Sequence, residues 1–270
     1  MFIQAQNFSV VANYAQMIWQ GLVVTVLLSL CTVIIGFVLA LILAVMRMSS
    51  FCPFLWLAHT FPGVFGFLEV DGNGMKRDSG CVYHLSHFNP LSFLATAYVE
   101  ILRSTPVLVQ VFIIYYGPFT AIDLPTFSIF GFIRFNRFFP GVVALGMNSG
   151  AYLCEIIRAG LQSIDGGQTE ASRSLGLNAT QTLFFIILPQ ALKNILPAIA
   201  NEFVVIIKES AITYTIGVQD IMSAVNAIRG ATAIIMEPLL VATALYFCLC
   251  FPPSKVIAYF ERRMSRGDKR

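Results

Sequence analysis

Charged residues are scarce in this 270-residue chain, in which Asp, Glu, Lys and Arg make up 11% and hydrophobic residues 57%. Soluble domains usually carry about 25% charged residues. None of the four charged types occurs in residues 1–46. These shortages exclude a surface that faces only water, and they indicate that lipid surrounds much of the chain.

The excess of positive charge is also small. The net charge is +3, so bulk charge gives no case for a nucleic-acid-binding surface. The chain lacks the G-x-x-x-x-G-K-[ST] pattern of a phosphate-binding loop, because Gly72 and Gly74 near Lys76 do not fit its spacing. We therefore expect no ATP and no other cofactor to bind to this chain itself.

The six cysteines include no C-x-x-C pair, and four lie in or beside apolar stretches, so we expect no disulfide framework. Cys81, His84 and His87 follow a C-x-x-H-x-x-H spacing whose side chains are able to bind zinc. Residues three apart rotate steadily around a helix, and no second ligand cluster occurs. The sequence therefore favours ordinary polar residues over a metal site or a membrane-embedded enzyme.

Five apolar stretches predict an all-α fold, a polytopic membrane bundle of about five transmembrane helices. We place the spans at about Leu22–Met46, Leu94–Tyr116, Phe138–Ile157, Ile187–Ile207 and Ile234–Ala258. The first lacks the basic start of a signal peptide and is too long for one, so we expect it to be retained. The chain, residues 1–270, then forms a single transmembrane domain with its core at 20–258.

Basic residues predict the orientation of the bundle. The tail 261–270, ERRMSRGDKR, is strongly basic, which favours the cytoplasmic side. Five spans then place the N-terminus outside and the connection between the third and fourth spans inside, with Arg134 and Arg137 as a mild exception. Within segment 49–90, the apolar stretch Phe51–Phe67 is too short and too broken by Pro and Gly to span, and we interpret the segment as a cytoplasmic insertion.

A polar turn interrupts the apolar sequence at Glu170–Gln190, EASRSLGLNATQTLFFIILPQ. Ala171, Ser172 and Leu175 permit a short helix, and Gly176 is suited to end it in a left-handed cap. These features predict a small-residue face beside the Glu170 charge, which another protein could approach closely.

A second short helix is predicted directly after this turn. Asn178 is a suitable N-cap and Gln181 stands three residues later, in the capping-box position. Pro189 then marks a kink or the start of the fourth span. Two short helices around a Gly turn suggest a docking element, and the alternative is an ordinary amphipathic loop at the membrane surface.

The spacing of this segment resembles the EAA signature of permease subunits in binding-protein-dependent ABC importers, with Ser in place of the second Ala. The matching residues are Glu170, Ala171, Ser172, Gly176, Ile186, Leu188 and Pro189. Three further stretches resemble the branch for polar amino acids of the histidine, glutamine, glutamate, arginine and opine type. They are YVEILRSTPVLVQVFIIYYGP (98–118), NSGAYLCEIIRAGLQSI (148–164) and LPQALKNILPAIANEFVVIIKESA (188–211).

The resemblance implies one permease subunit of a homo- or heterodimer in the lipid of the bacterial inner membrane. It implies that Glu170–Leu188 docks on a separate cytoplasmic ABC ATPase, which holds ATP and Mg²⁺, so that this chain is not itself an enzyme. It also implies an extracytoplasmic amino-acid-binding protein that delivers the substrate. Members of the family join their first two spans by a short basic loop, so segment 49–90 departs from the pattern.

Polar residues inside the predicted spans are the candidates for the substrate pathway, because intramembrane charges are costly and usually functional. Glu100 and Arg103 are spaced to pair on one helical face. The other candidates lie on the third and fourth spans, at Asn148, Tyr152, Glu155, Asn201 and Glu202. Each could either contact a zwitterionic amino acid or hold helices together.

Two other functions remain open from the sequence. The same importer architecture could carry another small solute, such as an opine or a peptide-like molecule. A standalone channel or secondary transporter would need no ATPase and no glycine-centred docking loop, so the spacing of Glu170–Pro189 counts against it.

Overall fold

The computed structural model of the protein describes residues 5–48 and 89–265 and is almost entirely helical there. The helices are α1 (Ala5–Ala12), α2 (Ala15–Met48), α3 (Pro90–Ser104), α4 (Val107–Tyr116), α5 (Pro118–Ala121), α6 (Phe135–Gln162), α7 (Gly166–Ser174), α8 (Ala179–Thr182), α9 (Leu188–Glu209), α10 (Ile221–Thr232) and α11 (Met236–Ser265). A π-helix, Leu183–Ile187, joins α8 to α9, and a 3-10 helix, Ser210–Ile216, follows α9. Two short antiparallel strands, β1 (Ser128–Ile129) and β2 (Ile133–Arg134), form a hairpin before α6.

Several residues for which the sequence makes predictions lie outside the described part of the chain. The predicted insertion at 49–90 falls there except for its last two residues, as do Cys81, His84 and His87. The last five residues of the basic tail also lie outside.

Three helical segments are long and apolar enough to cross a membrane. They are Ala15–Arg47, Ala179–Ile216 and Met236–Met264. The pair Pro90–Ser104 and Val107–Ala121 makes a fourth if it is counted as one span, although it bends by 113°. The prediction of an all-α membrane bundle is confirmed, whereas the count of five spans and the orientation stay predictions.

Helix α6 forms the centre of the bundle, since 15 of its 28 residues are buried. At about 1.5 Å per residue it is about 42 Å long, enough to cross a bilayer. It is nevertheless not among the helices of the described chain that are apolar enough to count as membrane spans. A helix that protein covers on most sides needs little apolar surface toward lipid, which explains its polar and small residues.

Small residues bring α6 close to α2, its most extensive partner. Gly146 and Gly150 are four residues apart, the spacing that lets two membrane helices approach closely. A Cβ at Gly146 would lie 3.0 Å from Cγ2 of Ile35, and one at Gly150 would lie 3.0 Å from Cβ of Leu39. The glycines therefore set the distance between these two helices.

The second predicted span, Leu94–Tyr116, is wrong as a continuous helix, because the chain breaks between α3 and α4 at Thr105 and Pro106. Proline has no N–H to donate and forces the residue before it into an extended conformation. Thr105 shows that conformation, with φ −117° and ψ 148°. The Nε2 group of Gln110 compensates for the break by donating to the Leu102 carbonyl oxygen at 2.7 Å.

Two elements were missed by the sequence reading. Helix α10 lies between the fourth and fifth predicted spans, where Asp220 caps it by accepting from the Ser223 N–H at 2.8 Å. The β-hairpin before α6 was also unexpected, because its strands have only two residues each. Both elements contribute to the end of the bundle at which α6 begins.

Candidate functional site

The first short helix of the docking segment is present as predicted. Helix α7 begins after Asp165, whose Oδ1 accepts from the Gly167 N–H at 2.6 Å. It ends in a left-handed turn at Gly176, with φ +87°. The Leu177 N–H donates to the Ser172 carbonyl at 3.2 Å, and the Gly176 N–H donates to the Arg173 carbonyl at 3.0 Å. This pair of bonds is the Schellman ending that glycine favours.

The second short helix also follows the sequence prediction. The Asn178 Oδ1 accepts from the Gln181 N–H at 2.9 Å, and the Gln181 Oε1 accepts from the Asn178 N–H at 2.9 Å. This reciprocal pair is a complete capping box, which starts α8. We refer to α7, the Gly176 turn and α8 together as the helical hairpin.

Ser172 joins the two helices of the hairpin, although it departs from the Ala of the EAA signature. The side chains of Ser172 and Thr182 are buried, at 4% and 3% exposure. Their hydroxyl oxygens lie 3.1 Å apart, while the Ser172 hydroxyl donates to the Thr169 carbonyl at 2.9 Å. A hydroxyl at this position therefore ties α7 to α8.

The outer face of the hairpin is open. Glu170, Ala171 and Gly176 are exposed, and Leu175 is 83% exposed. A large apolar side chain held in the open beside a charge is typical of a protein-binding surface. Farther along, Ile186 and Leu188 are half-buried, and the exposed Pro189 lies in the first turn of α9. The hairpin thus continues directly into a membrane-length helix.

Glu155 is the centre of an ion-pair cluster inside the bundle. Its Oε2 lies 2.9 Å from Nη1 of Arg47, and its Oε1 pairs with Arg158. Arg103 lies 3.9 Å from the same carboxylate and places its guanidinium 5.6 Å from the centre of the Tyr152 ring. The cluster connects α2, α3 and α6.

The expected pairing of Glu100 with Arg103 is therefore wrong. The partner of Arg103 is Glu155, and Glu100 is exposed on α3 without an ion pair among the described residues. Spacing along one helix made the pair possible. The packing of α3 against α6 instead gives Arg103 a less exposed carboxylate.

Asn148 is buried and bonded within the protein. Its Nδ2 donates to Oε1 of Gln110 at 2.8 Å, and Gln110 in turn donates to the Thr105 carbonyl at 3.0 Å. The two amides thus satisfy backbone groups that the break between α3 and α4 leaves open. Gln110 was not predicted from the sequence, although a lone amide in the apolar run VLVQVFIIYY, four residues after a proline, was a signal.

Asn201 and Glu202 face different surroundings although they are neighbours in α9. Glu202 is buried, at 9% exposure, and its carboxyl group lies near the hydroxyl of Ser149 on α6. That hydroxyl has no hydrogen-bond partner within the described part of the chain. Asn201 lines a cavity of about 610 Å³ between α9 and α11, together with Lys193, Asn194, Ser254 and Glu261.

The structure thus divides the pathway candidates into groups. Tyr152, Glu155 and Arg103 meet in the ion-pair cluster, and Asn148 lies one helical turn before Tyr152 on α6. Asn201 lines the cavity, and Glu100 is exposed on α3. A membrane bundle with polar groups inside and an exposed helical hairpin at one end is the architecture of a membrane transport subunit that works with a partner protein.

The family comparison identifies which kind of transport subunit this is. The family model described as "Binding-protein-dependent transport system inner membrane component" matches residues 80–266. The chain belongs to this family. The resemblance carried by the EAA spacing is thereby confirmed, and the protein is a membrane-embedded permease subunit of an ABC importer.

Individual relatives agree with this family. The chain is 32% identical to the arginine transport system permease protein ArtQ of Bacillus subtilis (strain 168), over 97% of this chain and 99% of ArtQ. It is 34% identical to the probable glutamine ABC transporter permease protein GlnM of the same organism, over 69% of this chain and 82% of GlnM. A crystal structure of an amino acid ABC transporter with histidines matches with a TM-score of 0.75 at 34% identity, over 97% of this chain and 100% of that chain.

Proposed function

We propose that this permease subunit carries a polar amino acid of the glutamine, glutamate, histidine or arginine type into the bacterial cell across the cytoplasmic membrane. The names of the similar proteins ArtQ and GlnM support this class of substrate. The observation that carries the mechanism is the exposed helical hairpin, which leads without a break into α9 and its polar residues Asn201 and Glu202.

The hairpin serves as the contact with a separate cytoplasmic ATPase. The contact surface consists of Glu170, Ala171, Leu175 and the Gly176 turn, which are all exposed. Ser172 and Thr182 make the hairpin rigid, so a displacement by the ATPase passes through the π-helix into α9. The partner thus biases a two-state element, and the coupling must be reciprocal, so that substrate delivery changes the rate of ATP hydrolysis.

The polar residues inside the bundle form the pathway. A zwitterionic amino acid needs a negative and a positive partner where the dielectric is low. Glu202 supplies a carboxyl group near the hydroxyl of Ser149, and Asn148 lies one position before Ser149 on α6. Arg103, Tyr152 and Glu155 supply charge and an aromatic face close by. Glu100 stays a predicted pathway residue, since it is exposed on α3 and has no ion pair among the described residues.

The remaining partners complete the transporter. Only 6% of the most apolar 18-residue stretch of α11 is buried within the described chain. We assign part of this apolar surface to a second permease subunit and the rest to lipid. An extracytoplasmic binding protein delivers the amino acid at the end of the bundle opposite the helical hairpin. ATP and Mg²⁺ bind to the ATPase and not to this chain.

The test is to purify the permease with its ATPase and binding protein and to reconstitute the complex in liposomes. Loaded binding protein is added with each of a panel of amino acids, and both uptake and ATP hydrolysis are measured. We expect one or a few polar amino acids to stimulate both. A complex that responds only to another class of solute, such as a peptide, would overturn the choice of substrate, and uptake without any ATPase would overturn the mechanism.

A further inference from the structure

A polar cavity of about 470 Å³ lies at the opposite end of the bundle from the helical hairpin. Its walls come from the start of α2, the β-hairpin and the N-terminal end of α10. Helix α6 begins directly after the β-hairpin and ends shortly before α7. Its 28 residues span about 42 Å, more than the ~30 Å of a hydrocarbon core. The cavity and the ATPase contact therefore lie on opposite faces of the membrane.

Asp220 is one of the residues in the wall of this cavity, and one of its carboxylate oxygens lacks a hydrogen-bond partner among the described residues. The residue is only 1% exposed. Its Oδ1 caps α10 by accepting from the Ser223 N–H at 2.8 Å. Its Oδ2 is buried and has no hydrogen-bond donor within the described residues. A buried carboxylate oxygen without a donor costs free energy, and an ammonium group in the cavity would satisfy it.

Groups that can bind a carboxylate, in contrast to the carboxyl group of Asp220, line the same cavity. Arg134, at the end of β2, is exposed and carries the N–H groups that bind carboxylates in a bidentate manner. The first turn of α10 adds the positive end of a helix dipole. The amides of Gln20 and Gln219 supply further donors and acceptors. The cavity volume falls within the range of about 300–1,000 Å³ that is usual for small-molecule sites.

We propose that this cavity is an outer receiving site for a free zwitterionic amino acid, which places its ammonium group on Asp220 and its carboxylate toward Arg134. The inference rests on the proposed function and deepens it, because it adds a binding site separate from the residues around Asn148 and Glu202. An amino acid released by the binding protein reaches this site before it enters the bundle.

A purely structural role for Asp220 makes a different prediction. Asn is as good an N-cap as Asp, so Asp220→Asn keeps the bond to the Ser223 N–H and loses only the negative charge. If Asp220 were just a cap, this variant would behave as the parent protein does. A matched control is Asp123→Asn, which removes an exposed carboxylate that does not line the cavity.

The experiment measures occupancy of the cavity directly. Ala227 is exposed in the cavity wall, and Ala227→Cys is introduced into the permease–ATPase complex in lipid nanodiscs without binding protein. A membrane-impermeant thiol reagent then labels the introduced thiol, and the labelling of the parent complex is subtracted as background. We follow the rate of labelling as the concentration of L-arginine or L-glutamine increases. Thermal unfolding of each variant complex, compared with that of the parent, shows whether the fold is retained.

We expect the amino acid to slow labelling, and Asp220→Asn and Arg134→Gln each to raise the concentration needed by about tenfold or more, the loss of one charge-assisted hydrogen bond. Asp123→Asn should leave it unchanged. Agmatine, which lacks the α-carboxylate of arginine, should bind more weakly and be insensitive to Arg134→Gln.

Three results would overturn the inference while leaving the proposed function intact. One is an Ala227→Cys complex that imports amino acids but whose labelling no amino acid slows. Another is protection that is unaffected by Asp220→Asn. The third is a variant that, in a separate binding measurement with the binding protein added, changes only the affinity for that protein, which would make the cavity a protein-docking contact. A parent complex that imports no amino acid at all would instead refute the proposed function.

Discussion

Single polar residues inside this bundle take partners that are distant in sequence. Glu155 pairs with Arg47, which is 108 positions earlier, and Asn148 bonds Gln110 across 38 positions. Composition and spacing mark such residues as exceptional, because a charge in lipid needs a partner. They do not reveal which partner it takes, as the wrong pairing of Glu100 with Arg103 shows. Helix packing decides that choice.

Removal of the Glu155 charge should destabilise the bundle. Glu155→Gln leaves Arg47, Arg103 and Arg158 close together without their shared carboxylate, and we expect a loss of about 1–3 kcal/mol in the free energy of unfolding. Thermal unfolding of the purified protein in detergent measures this loss. Glu100→Gln is the control, and an equal effect of the two variants would contradict the ion-pair cluster.

Asp220 should make stability depend on pH. Burial raises the pKa of Asp220 from its ordinary acidic value to about 7. The folded protein then holds this proton more tightly than the unfolded chain does. The resulting stabilisation is complete below about pH 4 and is lost as the pH rises through 7. The unfolding temperature should fall less between pH 5 and 8 in Asp220→Asn than in the parent, and parallel curves would refute this reasoning.

At the scale of elements, turn and cap chemistry correctly predicts those parts of the chain whose structure does not depend on long-range packing. The helical hairpin follows from Gly176, Asn178 and Gln181, which interact only with residues a few positions away. The break at Pro106 was missed because the surrounding residues are apolar enough for a span. The sequence carried that signal, but Gln110 and Asn148 had to be present in the structure to stabilise the break.

The Gly176 turn should be essential for uptake. Gly176→Val forces a β-branched residue into a left-handed conformation, which costs about 1–2 kcal/mol, although a Cβ there would meet no atom within 4 Å. We expect uptake to be abolished with membrane insertion intact. Gly176→Asn, which tolerates this conformation, should retain most activity. If the Val variant transports as well as the parent, the docking role of the turn is wrong.

The contact between α2 and α6 should tolerate no added methyl group. In Gly146→Ala the new Cβ would meet Ile35 at 3.0 Å, so we expect a loss of about 1–3 kcal/mol from overpacking. Gly230→Ala on α10 is the control, because no atom lies within 4 Å of that position and alanine favours a helix. Denaturation of both variants provides the comparison, and an unchanged Gly146→Ala would show that the helices can separate.

The whole molecule belongs to a family of transport-system components, so further subunits are expected to act with it. The proposed ATPase contact and the proposed receiving site lie at opposite ends of α6, which packs against α2 along the bundle. Most of the apolar surface of α9 and α11 is not buried within the described chain. The isolated chain is therefore one part of an assembly.

Assembly with the ATPase should depend on Leu175. Its side chain is 83% exposed, so Leu175→Asp should leave folding intact and abolish copurification with the ATPase by placing a charge in an apolar contact. Leu175→Met keeps the apolar surface and should assemble normally. Pull-down with a tagged ATPase separates the two cases, and normal assembly of the Asp variant would move the contact elsewhere.

The sequence by itself determined the membrane setting, the helical class and the helical hairpin, because hydropathy and capping depend on neighbouring residues. It also pointed to the family through the EAA spacing. Only the tertiary structure decided the partner of Glu155, the bend at Pro106 and the cavity at Asp220. Each of these brings together segments far apart in the chain, and their contacts follow from how closely the helices pack rather than from any local pattern.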